Sequence, residues 1–431
     1  MKRSVRIIAL SLAVLLATVL SVVAIGYLIL LNLNPNQHRP KRIDHPNGFV
    51  QAVGTNLYDG EGKLLQLKGV NLGNWFIQEC WMAVSSVGEF ETGVYTKERG
   101  YAAMRQNPNL DEEKIKALYE LYMDTYIRES DIREISELGM NTVRVNFSYL
   151  DFTTDGQTLR EDAFRYLDQI LALCEKYHLY AVLDLHGAIG SQNQDQHSGN
   201  DATHDLYGNP ENEAKTVFLW ETIAARYKDN RTVAGYDLLN ETREAPGKYT
   251  AKVNFDFYDV LYRAIRAIDP HHLIFIECFT FPTHGVSIRD YGWENVCMQY
   301  HIYNLTPLSQ KTCLGFYKAL HNLMGYGTPV YIGEWNAFEK RSEWEDSLAF
   351  FDELGWSFSS WTYKTNKYFY SRGMMNSGTN NWGLYELDIP PVDLSTATYE
   401  EIAAVYASVG TENAQKSMVY DVYASYFRQN S

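Results

Sequence analysis

Two glutamates that end apolar stretches are the residues in this sequence with the clearest capacity for chemistry. Glu241 closes the run VAGYDLLNE, and Glu334 stands near the end of PVYIGEW. A carboxyl group at the end of a strand costs burial free energy unless it is paired or used. Two carboxyls that face each other can divide their duties, because one can hold a proton while the other is ionised. The pair therefore indicates acid–base and nucleophilic chemistry.

Other apolar runs of the chain also end in polar or aromatic residues. The residues at these positions are Arg144, His186, Asn240, His301, Tyr303 and Trp361. One such residue alone is usually a polar group that caps a strand end and has its hydrogen bonds made by neighbouring groups. A whole series indicates that the strand ends converge on one site.

Eight short β-type runs alternate with amphipathic stretches, and these elements must position the polar residues. The runs cover residues 67–75, 142–147, 180–187, 233–241, 273–278, 296–303, 329–335 and 357–363. Helical patterns cover residues 111–139, 161–178, 211–228, 253–268, 312–324, 342–354 and 397–409. Apolar strands that alternate with helices predict a parallel α/β sheet, and eight such units predict a closed (β/α)8 TIM barrel. A doubly wound open sheet is the alternative, but no glycine-rich phosphate-binding motif follows the first strand.

In such a barrel the carboxyl ends of the strands open at one face, so Glu241 and Glu334 would face each other across its mouth. Two facing carboxyls are what cleavage of a glycosidic bond requires. A separation of about 5 to 5.5 Å would give retention of configuration through a covalent intermediate. We expect no metal or other cofactor, because ionisable side chains supply every role.

The neighbouring polar residues fit the same chemistry. His301 and Tyr303 are two positions apart on one strand, so they share a face and could hydrogen-bond the carboxylates. Arg144 could hold Glu334 ionised between turnovers. Asn240 could bond a sugar 2-hydroxyl, an interaction that strengthens in the transition state.

The chain resembles glycoside hydrolase family 5 over roughly residues 50 to 410. The motifs that carry the resemblance are NTVRVNF, LDLHG, DLLNE, YHIY, IGEW and SFSSWTYK, which match all eight positions of that family's active-site set. The resemblance implies a (β/α)8 fold and a retaining β-glycoside hydrolase. It also implies Glu241 as acid/base and Glu334 as nucleophile, at the ends of strands four and seven.

Two stretches, GVNLGNWFIQECW and DLHGAIGSQNQDQHSGN, are most similar to the exo-β-1,3-glucanase branch of that family. The similarity implies that Glu79 binds the terminal glucose and that Trp75 or Trp81 supports it. The stretch NWGLY resembles a late loop of the same enzymes, which makes Trp382 a candidate sugar platform.

Two positions depart from that branch. Thr242 replaces the proline that usually follows the catalytic Asn-Glu pair, and Gln196 stands where an acidic residue is expected, with Asp195 one position away. The second departure touches sugar selection. Long insertions after strands one and three, at 76–110 and 188–210, would wall off one end of the cleft, so we expect exo action on β-glucans or β-glucosides.

Other functions stay open from the sequence alone. An endo-acting cellulase or mannanase would use the same groups in an open groove, and a β-glucosidase would act on a glucosyl lipid or another aglycone. A non-catalytic carbohydrate-binding wall protein would keep the aromatic residues but need not keep both carboxylates. A metal enzyme would draw its ligands from His186, His197, His204 and Asp205, which show no familiar ligand spacing.

An uncharged apolar run extends from Ile7 to Leu31. At about 1.5 Å per residue a helix of this length can cross a bilayer core of about 30 Å. Val22 and Ala24 also form a weak cleavage site for a signal peptide. We expect an uncleaved, single-pass signal anchor, with the N-terminus inside and the catalytic domain outside the cell.

These features divide the chain into a basic stub (1–6), a transmembrane anchor (7–31), a linker (32–48), a catalytic domain (49–412) and a tail (413–431). Within the catalytic domain, the sequence around Asp59-Gly60-Glu61-Gly62 predicts a β-hairpin ahead of the barrel.

The composition narrows the possible partners. The chain has a net charge of −15, and the segment up to Arg42 carries six positive charges and no negative ones, which leaves −21 on the remainder. So acidic a body would repel nucleic acid. We expect a monomer whose partners are a saccharide substrate and the membrane. Five widely spaced cysteines predict no disulfide framework, although one pair stays open.

Overall fold

A closed barrel of eight parallel strands forms the centre of the protein in its computed structural model, which describes residues 26, 39–88, 95–243, 250–278, 288–304, 306, 308–372 and 381–430. Each strand pairs in parallel with the next along the chain, and the eighth pairs with the first. The strands are β1 (Lys68–Asn71), β2 (Thr142–Ser148), β3 (Tyr180–Gly187), β4 (Val233–Asp237), β5 (Leu273–Glu277), β6 (Val296–Tyr303), β7 (Val330–Asn336) and β8 (Ser357–Ser360). The predicted (β/α)8 barrel is confirmed.

Helices pack around the outside of the barrel. They are α1 (Lys97–Gln106), α2 (Glu112–Tyr126), α3 (Glu129–Leu138), α4 (Arg165–Lys176), α5 (Pro210–Tyr227), α6 (Ala251–Arg266), α7 (Gln310–Met324), α8 (Arg341–Leu354), α9 (Tyr399–Ala407) and α10 (Met418–Asn430). Helix α4 shows why they form and how they dock. Its buried Leu167, Ile170, Leu171 and Cys174 follow the spacing that places apolar side chains on one helical face.

The barrel strands are buried along almost their whole length, and in β2 and β7 every residue is buried. Helices cover the outer face and side chains fill the interior, so these strands do not alternate between apolar and polar residues. Neighbouring strands also approach closely. A Cβ atom at Gly69 would lie 2.0 Å from the Thr142 carbonyl oxygen, and one at Gly235 would lie 2.2 Å from that of Leu273. Glycine is therefore required at both positions for the strands to pair.

A small antiparallel sheet precedes the barrel. Its strands are Gln51–Val53, Asn56–Tyr58 and Leu64–Leu65, so the predicted hairpin is present and has one strand more than expected. Apolar residues next to and within this sheet pack against the amino-terminal halves of the barrel strands and close that end. The residues of this cluster include Val50, Leu57, Leu67, Val182, Phe275 and Tyr331.

Two helical regions differ from the prediction. The helix predicted over 111–139 is two helices, α2 and α3, which are separated at Ile127 and Arg128. The backbone of Arg128 is extended, with φ −120° and ψ 169°, and its N–H donates to Asp131 in a capping arrangement. Helix α1 lies inside the segment after β1, where we expected only a loop.

The predicted tail at 413–431 is also different, because most of it forms helix α10. Val419, Val422 and Tyr423 are buried, and their spacing of three and four residues places them on one face. The Tyr426 hydroxyl bonds the Asp352 carboxylate at 2.7 Å. Helix α10 is therefore part of the packing of the domain, which extends past residue 412.

Four barrel strands end earlier than predicted: β5 by one residue, at Glu277, and β1, β4 and β8 by three or four residues, at Asn71, Asp237 and Ser360. As a result, Asn240, Glu241 and Trp361 lie just beyond strand ends and not within strands.

The predicted transmembrane anchor, residues 7–31, lies outside the described residues apart from Gly26. In the part of the chain that the structure describes, no helix combines the length and the apolar character needed to cross a bilayer. The five cysteines all lie within the described residues and form no disulfide there, and four of them are buried.

Candidate active site

The buried guanidinium of Arg144 on β2 organises the mouth of the barrel. Its Nη1 donates to Glu334 Oε1 at 3.0 Å, and its Nε donates to Asp237 Oδ2 at 2.7 Å. Its Nη2 lies 3.0 Å from Asp184 Oδ1 and donates to Asn240 Oδ1 at 2.9 Å. The side chain has no exposed surface. One cation therefore ties together the ends of strands β2, β3, β4 and β7.

Glu334 on β7 has both carboxylate oxygens held by donors. Arg144 occupies Oε1, and the Tyr303 hydroxyl donates to Oε2 at 2.7 Å. Burial raises the pKa of Glu334, while the charge of Arg144 and the Tyr303 hydrogen bond act in the opposite direction. Both contacts favour the charged form, which is the form that a nucleophile needs.

Glu241 lies four residues beyond the end of β4 with a left-handed backbone, φ +48°. Its backbone N–H donates to Glu277 Oε2 at 2.7 Å, and its carbonyl oxygen accepts from Asn193 Nδ2 at 3.1 Å. These two bonds hold a backbone conformation that a residue other than glycine rarely adopts. Burial, and after it the charge of Glu334, raises the pKa of Glu241 well above its usual value. Glu241 is therefore held as the protonated partner of the pair.

The carboxyl groups of Glu241 and Glu334 are close, since each has an oxygen within 4.8 Å of the other and of a His301 nitrogen. His301 Nδ1 lies 2.9 Å from Glu241 Oε1 and 3.5 Å from Glu334 Oε2. The Gln299 amide nitrogen lies 3.2 Å from the other ring nitrogen of His301, which is therefore the acceptor. The proton of this imidazole then sits on Nδ1 and points to Glu241.

His186, Asn240 and Trp361 form one wall of the site. The His186 Nδ1 donates to Asp184 Oδ2 at 2.7 Å, and its Nε2 lies 3.4 Å from the Asn240 amide nitrogen. Burial lowers the pKa of His186 to about 3. Its ring stacks on Trp361 with centroids 5.4 Å apart. All three predicted residues are thus at the site, and His186 is neutral at ordinary pH.

Glu79 lies at the other side of the mouth. Trp81 Nε1 donates to its Oε2 at 2.7 Å, and Gln196 Nε2 donates to the same oxygen at 3.2 Å. Burial, followed by the charge of Glu334, raises the pKa of Glu79 to about 7. The Trp382 ring, which is partly exposed, lies 4.5 Å from that of Trp81. These groups place a carboxyl, an amide and two indoles together at this side of the mouth.

We expected either Trp75 or Trp81 to support Glu79, and Trp75 is not the one that does so. Its Nε1 donates to the Met123 carbonyl oxygen at 3.0 Å, and its buried ring packs on Phe76 and Tyr166. The ring fills the space between the segment after β1 and helix α2. Trp81, the other expected tryptophan, contacts Glu79 and Trp382.

The insertions after β1 and β3 contact each other beside Glu79. The Glu98 N–H donates to the Gly199 carbonyl oxygen at 3.0 Å, and Arg99 pairs with Asp201 at 2.8 Å. Gln196 belongs to the second insertion, so its bond to Glu79 is a third link between the two. The described parts of the two insertions are thus joined at these three points.

Several residues of the site were missed by sequence reasoning. Asp184 and Asp237 lie inside apolar strands and pair with Arg144, and Glu277 holds the backbone of Glu241. Burial raises the pKa of Asp184 to about 6 and that of Asp237 to about 7. Acidic residues inside LDL, YDL and FIEC were the available signal.

The proposed metal ligands do not converge. His197 lies beside Glu241, the His204 ring packs edge-on to Tyr207 with centroids 6.2 Å apart, and Asp205 accepts from Asn209 at 2.7 Å. Among the described residues, the ligand-type atoms that cluster belong to Glu241, His301 and Glu334. Those atoms are engaged in hydrogen bonds with one another and with neighbouring groups, and we assign none of them as a metal ligand.

Comparison with known proteins identifies the family. Residues 102–367 match the model of the cellulase family, glycosyl hydrolase family 5. The chain belongs to glycosyl hydrolase family 5. This membership confirms the predicted enzyme class, a glycoside hydrolase. The match spans β2 to β8 and includes Arg144, Glu241 and Glu334, whereas Glu79, Trp81 and Trp382 lie outside it.

Two individual relatives match part of the chain at modest sequence identity. The chain is 30% identical over 263 residues to a β-xylosidase of Phanerodontia chrysosporium, a match that covers 60% of this chain and 52% of that protein. It is 27% identical over 288 residues to a probable glucan 1,3-β-glucosidase A of Emericella nidulans, covering 63% and 67%. The chain thus spans about half the length of the first of these relatives.

Among solved structures, an endogalactoceramidase superposes with a TM-score of 0.58 at 18% identity, covering 84% of this chain and 85% of that one. At this identity the similarity shows the fold alone.

Proposed function

We propose that the protein is a retaining β-glycoside hydrolase that acts on β-glucans or β-glucosides, with Glu241 as acid/base and Glu334 as nucleophile. The observation that carries the proposal is the pair of buried carboxyls within 4.8 Å of each other, whose contacts favour opposite protonation states. This proximity supports the retaining mechanism, whose carboxyls are about 5 to 5.5 Å apart, over the inverting one, which places a water between carboxyls about 6.5 to 9.5 Å apart.

The reaction proceeds in two displacements. In the first, a Glu334 oxygen attacks the anomeric carbon as the bond to the leaving oxygen breaks, and Glu241 gives its proton to that oxygen. The product is an ester between the sugar and Glu334. In the second, Glu241 takes a proton from water, whose oxygen displaces Glu334 from the sugar. The enzyme returns to its starting state, with the configuration at carbon retained.

The neighbours of the two carboxyls support this division of roles. Arg144 and Tyr303 both stabilise a charge on Glu334, so it is ionised before attack. The Glu241 carboxyl instead lies between the imidazoles of His301 and His197, whose pKa values burial lowers. Once Glu334 is esterified, its charge disappears, and the pKa of Glu241 falls because the largest charge effect that raised it is gone. The same carboxyl can then act as a base in the second step.

Exo action on chain ends is the finer part of the proposal. The two insertions meet beside Glu79, and this contact supports a cleft that is closed behind one terminal sugar. Glu79 and Gln196 would bond the hydroxyls of that sugar, and Trp382 would stack on its ring. The similarity to a protein described as a glucan 1,3-β-glucosidase supports a β-linked glucan as substrate.

Endo action is the second candidate. The observation that favours it is the description of the matching family model, cellulase. Gln196 in place of an acidic residue also leaves the sugar specificity open. A product time course on laminarin, cellulose and mannan separates the two modes.

The location of the enzyme is a further part of the proposal. We infer that residues 7–31 anchor the chain in a membrane and that the catalytic domain faces outward. The support is the uncharged run from Ile7 to Leu31 and the three basic residues that precede it, Lys2, Arg3 and Arg6.

The catalytic roles are tested by two variants on aryl β-glycosides. We expect Glu334→Ala to lose turnover on every substrate, because no group can form the ester. Glu241→Ala should keep the first step on substrates with good leaving groups, because these need little protonation. Added azide should give a retained glycosyl azide with Glu241→Ala. A retained azide product from Glu334→Ala, or complete loss of aryl-glycoside cleavage in Glu241→Ala, would show that the roles are wrongly assigned.

A further inference from the structure

The peptide unit that joins Asn240 to Glu241 is held at both of its polar groups by buried side chains. Gln192 Nε2 donates to the Asn240 carbonyl oxygen at 2.9 Å. On the other side of the same peptide, the Glu241 N–H donates to Glu277 Oε2 at 2.7 Å. Gln192 and Glu277 are only 0% and 1% exposed. The plane of this peptide is therefore fixed by two side chains that are shielded from water.

The Gln192 amide fits its surroundings in one orientation only. Its Oε1 accepts from the Ala188 N–H at 3.1 Å, while its Nε2 donates to the His186 carbonyl oxygen at 2.8 Å as well as to that of Asn240. A flipped amide would set an oxygen against two carbonyl oxygens and an NH2 group against an N–H. Both hydrogens of the NH2 group are thus used, and the side chain joins the end of β3 to the segment that follows β4.

The direction of the Glu241 side chain depends on how this peptide is oriented. The φ of Glu241, +48°, lies in the left-handed region, which costs free energy for a residue with a Cβ atom. This angle is the rotation between the peptide and the Glu241 Cα atom, so a peptide released by Gln192 or Glu277 could turn and let φ relax to a negative value. The Cβ atom and the carboxyl would then point elsewhere. Residue 242 is a threonine, so no proline ring restricts this backbone.

Asn240 itself is held by further groups. Its backbone N–H donates to the Leu185 carbonyl oxygen at 3.1 Å, and its Oδ1 accepts from Arg144 Nη2 at 2.9 Å. Loss of the Gln192 bond would thus free the peptide and the Glu241 that follows it, while the Asn240 side chain keeps its place. The effect of Gln192 is therefore directed at Glu241.

We propose that Gln192 is a positioning residue for the acid/base, because its amide fixes the Asn240–Glu241 peptide and so aims the Glu241 carboxyl at the oxygen of the leaving group. The inference rests on the proposed function, in which Glu241 is the acid/base. Gln192 bonds backbone groups and acts through Glu241. Its loss should weaken the steps in which Glu241 transfers a proton and spare the attack by Glu334.

The test removes the two N–H donors and compares substrates whose leaving groups differ. Gln192→Met keeps a side chain of similar length but leaves both carbonyl oxygens without this donor. Gln192→Glu keeps the shape of the amide, but its carboxyl can donate at most one hydrogen bond, and only when it is protonated. Each full-length variant is assayed with 2,4-dinitrophenyl β-glycosides of glucose and xylose, which need little acid, and with alkyl β-glycosides of the same sugars, which need it.

Gln66→Met is the matched control. Gln66 Nε2 also donates to two backbone carbonyl oxygens, those of Trp356 at 2.8 Å and Phe351 at 3.3 Å. Gln66 lies just before β1, at the amino-terminal end of the barrel and away from its mouth. This variant therefore removes the same kind of bridge without touching the segment that carries the acid/base.

We expect kcat/KM of Gln192→Met to fall by about 10- to 100-fold on alkyl glycosides and by less than about threefold on dinitrophenyl glycosides, because a misdirected acid leaves the nucleophile intact. Gln192→Glu should show the same selectivity. On the dinitrophenyl substrates kcat should fall more than kcat/KM, because attack of water on the glycosyl-enzyme needs Glu241 as a base. Added azide should restore kcat and give a retained glycosyl azide. Gln66→Met should show neither the selectivity nor the response to azide.

Equal losses on both classes of glycoside, or no loss, in a folded Gln192 variant would overturn the inference. Gln192→Glu, which disturbs the packing least, decides if Gln192→Met does not fold. Two unfolded Gln192 variants beside a folded Gln66→Met would show that Gln192 serves the fold, which also overturns the inference.

Failure of the proposed function has a different signature. Wild-type protein that cleaves none of these glycosides, or that is not labelled at Glu334 by a 2-fluoro glycoside, would contradict the proposed function itself. Labelled, active wild-type protein with unselective Gln192 variants would contradict only the role of Gln192.

Discussion

Two carboxyl groups of the same chemical type differ at this site because of what touches their oxygens. Glu334 is bonded by a guanidinium and a phenol, which stabilise negative charge. Glu241 lies between two buried imidazoles, of which His301 bonds Oε1 at 2.9 Å and His197 lies 3.1 Å from Oε2. Burial raises the pKa of both, so the difference comes from these contacts and from the charge of Glu334 acting on Glu241. The division of labour is therefore set residue by residue.

Arg144 is the residue whose loss should damage the fold most. Arg144→Met would leave Asp184, Asp237 and Glu334 without their shared cation, at a position with no exposed surface. Removal of one partner from a buried ionic cluster costs about 3 to 5 kcal/mol, because the remaining charges stay desolvated. We expect a decrease of that size in the free energy of unfolding, measured by urea denaturation at neutral pH.

Arg128→Met is the control for this prediction. Arg128 pairs with Glu412 at 2.8 Å, but its side chain is 39% exposed. An exposed pair of this kind contributes at most about 1 kcal/mol. Equal losses in the two variants would show that the buried cluster adds no more stability than a surface ion pair.

Three residues of the candidate site were predictable from the sequence because they interrupt apolar runs at strand ends. Glu241, Glu334 and Arg144 all stand out in this way. Asp184 and Asp237 interrupt similar runs but were missed. Their role is to pair with Arg144, which lies on another strand and far away along the chain. A linear pattern does not reveal such pairs until the strand register is known. His197 was interpreted as a metal-ligand candidate, since only the folded loop shows which atom it contacts.

At the level of elements, the existence of strands and helices was predictable and their ends were not. Strand β4 stops at Asp237 because the chain leaves the sheet to reach a left-handed conformation at Glu241. The apolar run continues past that point without a break, so periodicity alone extends the strand. Helices α2 and α3 share one continuous amphipathic pattern and are separated only by a capping interaction at Arg128. Local hydrogen bonds, which a hydrophobic pattern does not report, set these boundaries.

The insertions after β1 and β3 are the elements that should decide where a glucan chain is cut. They are joined by the Glu98–Gly199 and Arg99–Asp201 contacts, and Glu79 lies on the cleft side with Gln196. If this side closes behind the terminal sugar, an internal chain segment cannot pass. We expect a β-glucan to release mono- or short saccharides from the start while its viscosity falls slowly.

Glu79→Ala should weaken kcat/KM by about 1 to 3 kcal/mol, because sugar hydroxyls would lose a buried partner. Arg105→Ala is the control in the same insertion, since Arg105 forms an exposed pair with Glu112. An immediate collapse of viscosity with a ladder of long oligosaccharides would contradict exo action and favour the open groove of an endo enzyme.

For the molecule as a whole, charge and hydropathy separate the segment up to Arg42 from the rest. That leading segment carries six positive charges and the apolar run from Ile7 to Leu31, while the remainder carries −21. Among the described residues, Arg39, Lys41 and Ile43 are the first that contact the rest of the domain. The Lys41 carbonyl oxygen accepts from the Leu64 N–H, and the Ile43 N–H donates to the Gly62 carbonyl oxygen, each at 2.9 Å. The contacts described for the barrel, its amino-terminal sheet and helix α10 therefore lie among residues from Arg39 onward.

A chain that starts at residue 39 should consequently fold and work as the full chain does. We expect both to have the same kcat/KM on an aryl β-glycoside and the same midpoint of thermal unfolding, because the contacts described for the barrel are all made by residues that the shorter chain keeps. They should differ in location. The full chain should sediment with membranes and need detergent for release, since an apolar helix long enough to span the bilayer core resists salt washing. The shorter chain should stay in the supernatant. A full chain that remains soluble, with a mature N-terminus just after Ala24 by mass spectrometry, would instead identify the segment as a cleaved signal peptide.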